Sequence, residues 1–235
     1  MEKANNQDSS KMQFPVVGIG ASAGGLEAVK SFLKALPAKS GMAFVFVQHL
    51  SPEHESFLPE LLQKVAPFPV QQITDNVHLE QDNLYIIPKN KVVTAVDGAL
   101  KLAAIDKSNN KSKTNTIDLF FSSLGVVHQS YAIGVVLSGA LSDGTLGLQV
   151  IKSYGGLTFA QDEKSAAFDS MPASAVKSGA VDFVLSPEKI AEHIIAINYP
   201  FHTDYSQTEE SGTLPQQDSE IFKKILTVLR VRRGV

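Results

Sequence analysis

Residues 14–36 read FPVVGIGASAGGLEAVKSFLKAL. A short apolar run ends in glycines, and from Gly24 the pattern changes: Leu26, Val29, Leu33 and Leu36 recur at helical spacing while Glu27, Lys30 and Lys34 point elsewhere. A buried strand therefore turns sharply into a helix. The turn carries two signatures at once. Gly18, Gly20 and Gly24 form a loose dinucleotide-binding pattern, and Gly20, Ser22 and Gly24 form G-x-S-x-G, a nucleophile elbow. A dinucleotide site wants an acidic residue about 20 residues on, at the end of the second strand, to hold the ribose. The second apolar run ends VFVQHL, with Gln48 and His49 and no acid or arginine, and no Gly-Lys-Ser/Thr follows the first turn. The elbow reading asks less: Ser22 stands on a tight turn between Ala21 and Ala23, at a helix N-terminus whose free N–H groups favour an oxyanion. The plainer alternative is that Ser22 is only the helix N-cap.

The rest of the chain continues the alternation. MAFVFVQHL (42–50), PVQQIT (69–74), NLYIIP (83–88), YAIGVVLSG (131–139), LTFAQD (157–162) and VDFVLS (181–186) read as strands. ESFLPELLQKVA (55–66), IDLFFSSLGVVHQ (117–129), DGTLGLQVIKSYGG (143–156), MPASAVKSGA (171–180) and PEKIAEHIIAI (187–197) read as helices. Asp97-Gly98 between β-prone runs predicts a hairpin in residues 91–104. Strands that are apolar throughout and alternate with helices predict an α/β fold: a doubly wound, mostly parallel sheet with helices on both faces and an added β-hairpin. Residues 1–13 read as a disordered leader, 14–198 as one catalytic domain, 199–219 as a linker, and 220–235 as the truncated start of a helical region.

With 235 residues, 43% hydrophobic and 19% charged, the composition is that of a globular protein. A net charge of −3 gives no electrostatic reason to expect nucleic acid or an anionic membrane as partner. There is no cysteine, which excludes disulfides, thiolate metal sites and a cysteine nucleophile, and suits a cytoplasmic protein. The polar N-terminus lacks the apolar region of a signal peptide, and no apolar run approaches membrane-spanning length. No His, Asp or Glu spacing suggests a metal, and no cofactor is expected.

In a parallel sheet the C-terminal strand ends share one edge, where function gathers. Ser22 follows the first strand, His49 ends the second, and Asp143 follows YAIGVVLSG. If those strands are neighbours, a hydroxyl, an imidazole and a carboxylate stand along one edge, the set that acyl transfer needs. Asp143 also reads as a helix N-cap, and Asp82 and Asp162, near other strand ends, compete for the acid role. The remaining histidines fall in loops, helices or the linker. The order Ser, His, Asp differs from that of α/β-hydrolases.

At these residues the chain resembles the chemotaxis-type protein-glutamate methylesterases (CheB family). The resemblance is carried by VVGIGASAGGLEAV, FVQHLSPEHES, YIIP, IDLFFSSL, GVVLSGALSDGTLG and TFAQDEKSAAFDSMPASAV, in the family's order. It implies a triad of Ser22, His49 and Asp143, backbone oxyanion contacts at Ala23 and Ala140, removal of methyl groups from glutamate esters on chemoreceptor-type signalling proteins, and deamidation of glutamine as in some relatives. Three features depart from the family pattern. The leader at 1–13 is too short to form the receiver domain that a typical member carries, so none is expected within this sequence; Asn115-Thr116 stands where many relatives have Arg-Pro; and GALSDG replaces the commoner GMGNDG. Residues 220–235 resemble the opening of a chemotaxis-type methyltransferase, which implies a fused methyltransferase downstream. A rival reading keeps the fold but makes the site a non-catalytic docking module for a signalling partner.

Overall fold

The computed structural model describes residues 14–48, 57–105 and 115–198. The expected leader, His49, the linker and the helical region at 220–235 lie outside the described residues. The order of elements is β1 (Val16–Ala21), α1 (Gly25–Lys34), β2 (Ala43–Gln48), α2 (Leu58–Gln63), β3 (Val70–Gln72), β4 (Val77–His78), β5 (Asn83–Ile86), β6 (Lys91–Val96), β7 (Ala99–Ala104), α3 (Thr116–His128), β8 (Ala132–Val136), α4 (Thr145–Ser153), β9 (Leu157–Gln161), α5 (Ser170–Lys177), β10 (Phe183–Leu185) and α6 (Pro187–Asn198).

Seven strands form one sheet in the order β10-β9-β8-β1-β2-β5-β3, and every pair in it is parallel. The strands are apolar throughout because both faces are covered. Val17 and Ile19 of β1 join Phe32 and Leu33 of α1 and Ile190 and Ile194 of α6 in one buried cluster. Val16, Val45 and Val47 join Ile117, Phe120, Phe121 and Leu124 of α3 and Leu148 and Ile151 of α4 in the other. On the α3 face β1 contributes Gly20, where a Cβ would lie 2.4 Å from Ile117 Cγ2, so a glycine lets the start of α3 lie directly on the strand.

Asp97 and Gly98 take φ of 43° and 78°, the left-handed pair of a two-residue hairpin, and β6 and β7 pair antiparallel across it. The hairpin does not extend the main sheet. It joins β4 in a separate three-stranded sheet ordered β4-β7-β6, and the Ser123 hydroxyl of α3 accepts the Ala95 amide at 2.9 Å to tie that sheet to the domain. Sequence reading places His78 in a loop; it belongs to β4, a two-residue strand too short to leave a periodic mark.

β1 is the switch point. Its neighbours are β2 on one side and β8 on the other, so the C-terminal ends of those three strands stand side by side.

Candidate active site

The elbow is built by hydrogen bonds. The Ser22 amide donates to Ser138 O at 3.0 Å, which carries the β1–β8 pairing one residue past the strand. The Gly25 amide then donates to Ser22 O at 3.0 Å, closing a turn in which Gly24 takes φ 73°. A side chain there would be strained, so glycine is what allows the turn. The N-cap of α1 is Gly24, with no side-chain cap hydrogen bond. Ser22 is therefore not the cap of this helix, and its half-buried hydroxyl bonds to no other described residue.

Two neighbouring elements press on the elbow. Gly139, just beyond β8, passes so close that a Cβ there would lie 3.1 Å from Ser22 Cβ. The fully buried Ser138 hydroxyl donates to Ala23 O at 2.8 Å and accepts the Phe168 amide at 3.0 Å. It thus stitches the elbow to the loop between β9 and α5. Gln161 Oε1 accepts the Ser138 amide at 2.8 Å. On the other side, Gln48 pairs in register with Ala21, and its Nε2 reaches Ser22 O at 3.5 Å. The Gln48 Oε1 is buried without a partner among the described residues. His49 is the next residue in sequence and lies outside the described residues.

Asp143 is buried, 5% exposed, in the loop between β8 and α4. It does not cap α4, whose N-cap is Gly144. Its carboxylate caps a different helix: Oδ2 accepts the Ile117 amide and Oδ1 the Asp118 amide of α3, each at 2.9 Å, and Oδ1 also accepts the Gly144 amide at 2.9 Å. Three amides do not exhaust a carboxylate that can accept about four hydrogen bonds. Asp118 returns the favour, its Oδ1 accepting the Gly147 amide of α4 at 2.8 Å. Two buried carboxylates thus each occupy the N-terminus of the other's helix, where unpaired amides and the helix dipole favour an anion. Burial is the main reason the Asp118 carboxyl is pushed above the usual carboxylate range; the backbone amides pull the other way and the Asp143 charge adds to the rise.

The competing acids separate cleanly. Asp82 precedes β5, at the opposite edge of the sheet, and its Oδ1 accepts the Ser40 amide, the Ser40 hydroxyl and the Gly41 amide at 2.6, 2.8 and 2.9 Å. Asp162 follows β9, two strands from β1, and its carboxylate is held by the Ser165 amide and hydroxyl at 3.1 and 3.0 Å. Among the three aspartates only Asp143 stands on a loop that follows a strand beside β1. The Ala23 and Ala140 amides, the expected oxyanion contacts, donate to no acceptor among the described residues. Among those residues no cluster of ligands could hold a metal ion. Sequence reading missed Asp118 and Ser138; the only trace of Ser138 is a polar residue inside an apolar strand end, LSG.

The fold and site define a doubly wound α/β protein with a serine on the elbow after β1 and a helix-capping carboxylate on the loop after the adjoining strand β8. The family model described as CheB methylesterase matches residues 17–194, and the chain belongs to that family. A Leptospira interrogans protein, provisionally named a protein-glutamate methylesterase/protein-glutamine glutaminase, is 34% identical over 187 residues, which is 80% of this chain and 96% of that protein. The protein-glutamate methylesterase/protein-glutamine glutaminase of group 3 operon from Rhizobium meliloti is 34% identical over 182 residues, 77% of this chain and 51% of its own length. The chain thus spans about half the length of that relative. The crystal structure of the Thermotoga maritima CheB methylesterase catalytic domain matches with a TM-score of 0.71 at 28% identity, covering 79% of this chain and 100% of that one.

Proposed function

We propose that this chain is a serine hydrolase that removes methyl groups from glutamate methyl esters on chemoreceptor-type signalling proteins. Ser22 Oγ attacks the ester carbonyl while His49 takes its proton. The Ala23 and Ala140 amides hold the oxyanion. The tetrahedral adduct breaks its bond to the methoxy oxygen, which leaves as methanol with the proton from His49. Water, deprotonated by His49, then cleaves the glutamyl-serine ester and restores Ser22. Asp143 keeps the imidazole in the working tautomer and stabilises its cation. A glutamine side chain follows the same path with ammonia as the leaving group, the second activity carried in the names of the relatives.

The observation that carries this reading is the adjacency of β8, β1 and β2, which brings the elbow, the Asp143 loop and the strand end preceding His49 to one edge. Among the described residues no helix is long and apolar enough to cross a membrane, which accords with a cytoplasmic site of action. A methyltransferase region beginning within 220–235 would make the chain the demethylating part of a longer methylation module.

The test is methanol release from a methyl-labelled receptor fragment by the full chain and by Ser22→Ala. The hydrolase reading expects release that falls by at least about 10⁴-fold in the variant. Binding of the fragment without release would instead favour the docking module.

A further inference from the structure

The loop from Gly139 to Asp143 contains a residue that folding does not explain. Leu141 takes φ 70° and is 68% exposed. Six non-glycine residues among those described have positive φ, and four of them are Asn or Asp, whose short polar side chains tolerate that conformation. A leucine there is strained, and its exposure brings no burial to offset the strain. The loop has little freedom to relax. The Gly139 amide donates to Phe168 O at 2.9 Å, the Met171 amide to Gly139 O at 3.0 Å, and Asp143 is held by three amides at the other end. Position 141 must turn left-handed, and the family's commoner GMGNDG carries a glycine at the matching place.

A second exposed apolar residue stands nearby. Phe168 is 52% exposed. Its ring lies against the elbow, with Cδ2 3.2 Å from where a Gly24 Cβ would sit. Its backbone is bonded to Ser138 and Gly139, the residue that packs against Ser22. Residues 22–24, 139–142 and 166–168, which frame the serine, contain no charged side chain.

We propose that Leu141 is a specificity-determining residue: with Phe168 it grips apolar side chains that flank the target glutamate in the substrate polypeptide. The proposal rests on the esterase reading of Ser22. Strain is kept where a functional contact needs it, and two exposed apolar side chains on uncharged segments beside a nucleophile select apolar neighbours over polar ones.

The test uses the full chain and two synthetic helical peptides, each with one glutamate methyl ester. One has leucine three residues before and four residues after the ester, on the same helical face; the other has glutamine at both places. The wild type is expected to favour the leucine peptide by about tenfold in kcat/KM, mostly through KM. Leu141→Asn keeps the left-handed turn and removes the apolar side chain, so its preference falls to less than about threefold while Tm rises by about 2–4 °C. A wild type without preference, an undiminished preference in Leu141→Asn, or a lowered Tm in that variant overturns the proposal. Affinities of both peptides for Ser22→Ala are measured in parallel with Ser22→Ala/Leu141→Asn. If neither peptide yields methanol, the esterase reading fails, and the affinity ratio still judges the grip: about tenfold in the first protein and lost in the second supports it, and anything else overturns it.

Discussion

Asp82 and Asp143 are the same residue in nearly the same local role. Each sits near the end of a strand of the main sheet, and each accepts three hydrogen bonds from donors among the described residues, two amides and a hydroxyl at Asp82 and three amides at Asp143. The differences are the edge and the distribution. Asp82 stands before β5 at the edge where strands begin; Asp143 stands after β8 at the edge where Ser22 also stands. Asp82 receives all three bonds on Oδ1, whereas Asp143 receives them on both oxygens. Hydrogen-bond inventory alone does not separate a structural carboxylate from one proposed to be catalytic. Position in the topology does, and the distribution over two oxygens decides how each tolerates an amide.

The largest expected effect breaks or upholds that distinction directly. Asp143→Asn is expected to lower esterase turnover by roughly four orders of magnitude, the scale of an acid that fixes a histidine tautomer. It should also cost about 1–3 kcal/mol of stability, because the new NH2 must face an α3 or Gly144 amide that needs an acceptor. Both oxygens of Asp143 are engaged, so an asparagine here is not a silent replacement. Asp82→Asn keeps a carbonyl oxygen for all three of its donors, and asparagine accepts the φ of 56°. It should change turnover by less than about threefold and stability by under about 1 kcal/mol. Ester kinetics and urea unfolding of the two variants side by side decide it; a loss under about tenfold in Asp143→Asn removes Asp143 from the triad.

The next effect belongs to the quiet edge. α3 begins at the Asp143 carboxylate and ends at His128, four residues before β8 starts. His128 is 7% exposed, its Nε2 has no partner among the described residues, and burial pushes its pKa down to about 4. The unfolded chain binds its proton near pH 6.5, so between pH 6.5 and 4 the unfolded state holds more protons than the folded one. Stability is complete above that window and is lost as pH falls through it, by up to about 3 kcal/mol. Chemical denaturation at pH 7, 5.5 and 4.5 should show the decline, and His128→Leu should flatten it. The pH profile of activity should keep its shape in that variant, because the group lies at the end of α3 away from Ser22. A profile that moves with His128 would undo the separation of the two edges.

How far the sequence could reach follows from where each signal lives. β1, β2 and β8 were legible because strands covered on both faces are apolar throughout. The elbow was legible because Gly24 must take a positive φ within four residues of Ser22. Asp143 was legible as a strand-end acid, but its partners were not: Ile117 and Asp118 are 26 and 25 residues away and carry no periodic mark. Asp82 entered as a rival because proximity to a strand was weighed without its direction. It precedes β5, and in a parallel sheet that places it at the far edge. Ser138 was hidden because a buried serine in an apolar run looks like noise until the bonds to Ala23 and Phe168 are seen.

The smallest expected effect concerns the partner of Asp143. Asp118 and Asp143 cap each other's helices, so two buried carboxylates lie close together and the Asp118 charge is disfavoured by burial first and by Asp143 in addition. Asp118→Asn can keep the Gly147 bond, since one carbonyl oxygen suffices for it. At pH 7 the substitution removes a charge that the fold holds at a cost, and stability should stay within about 1 kcal/mol of wild type or rise. The sign with pH is fixed: a raised folded-state pKa means the cost exists above it and vanishes below, so any gain fades as the solution is acidified. Asp118→Ala leaves the Gly147 amide without its acceptor and should lose about 1–3 kcal/mol at any pH. Activity gives the finer reading. Removing a negative charge beside Asp143 makes the imidazolium of His49 slightly less favourable, so the acid limb of kcat/KM should shift to lower pH by a fraction of a unit in Asp118→Asn. An acid limb that stays put would mean that the two carboxylates share helices but not electrostatics, and the proposed action of Asp143 on His49 would not depend on the Asp118 charge.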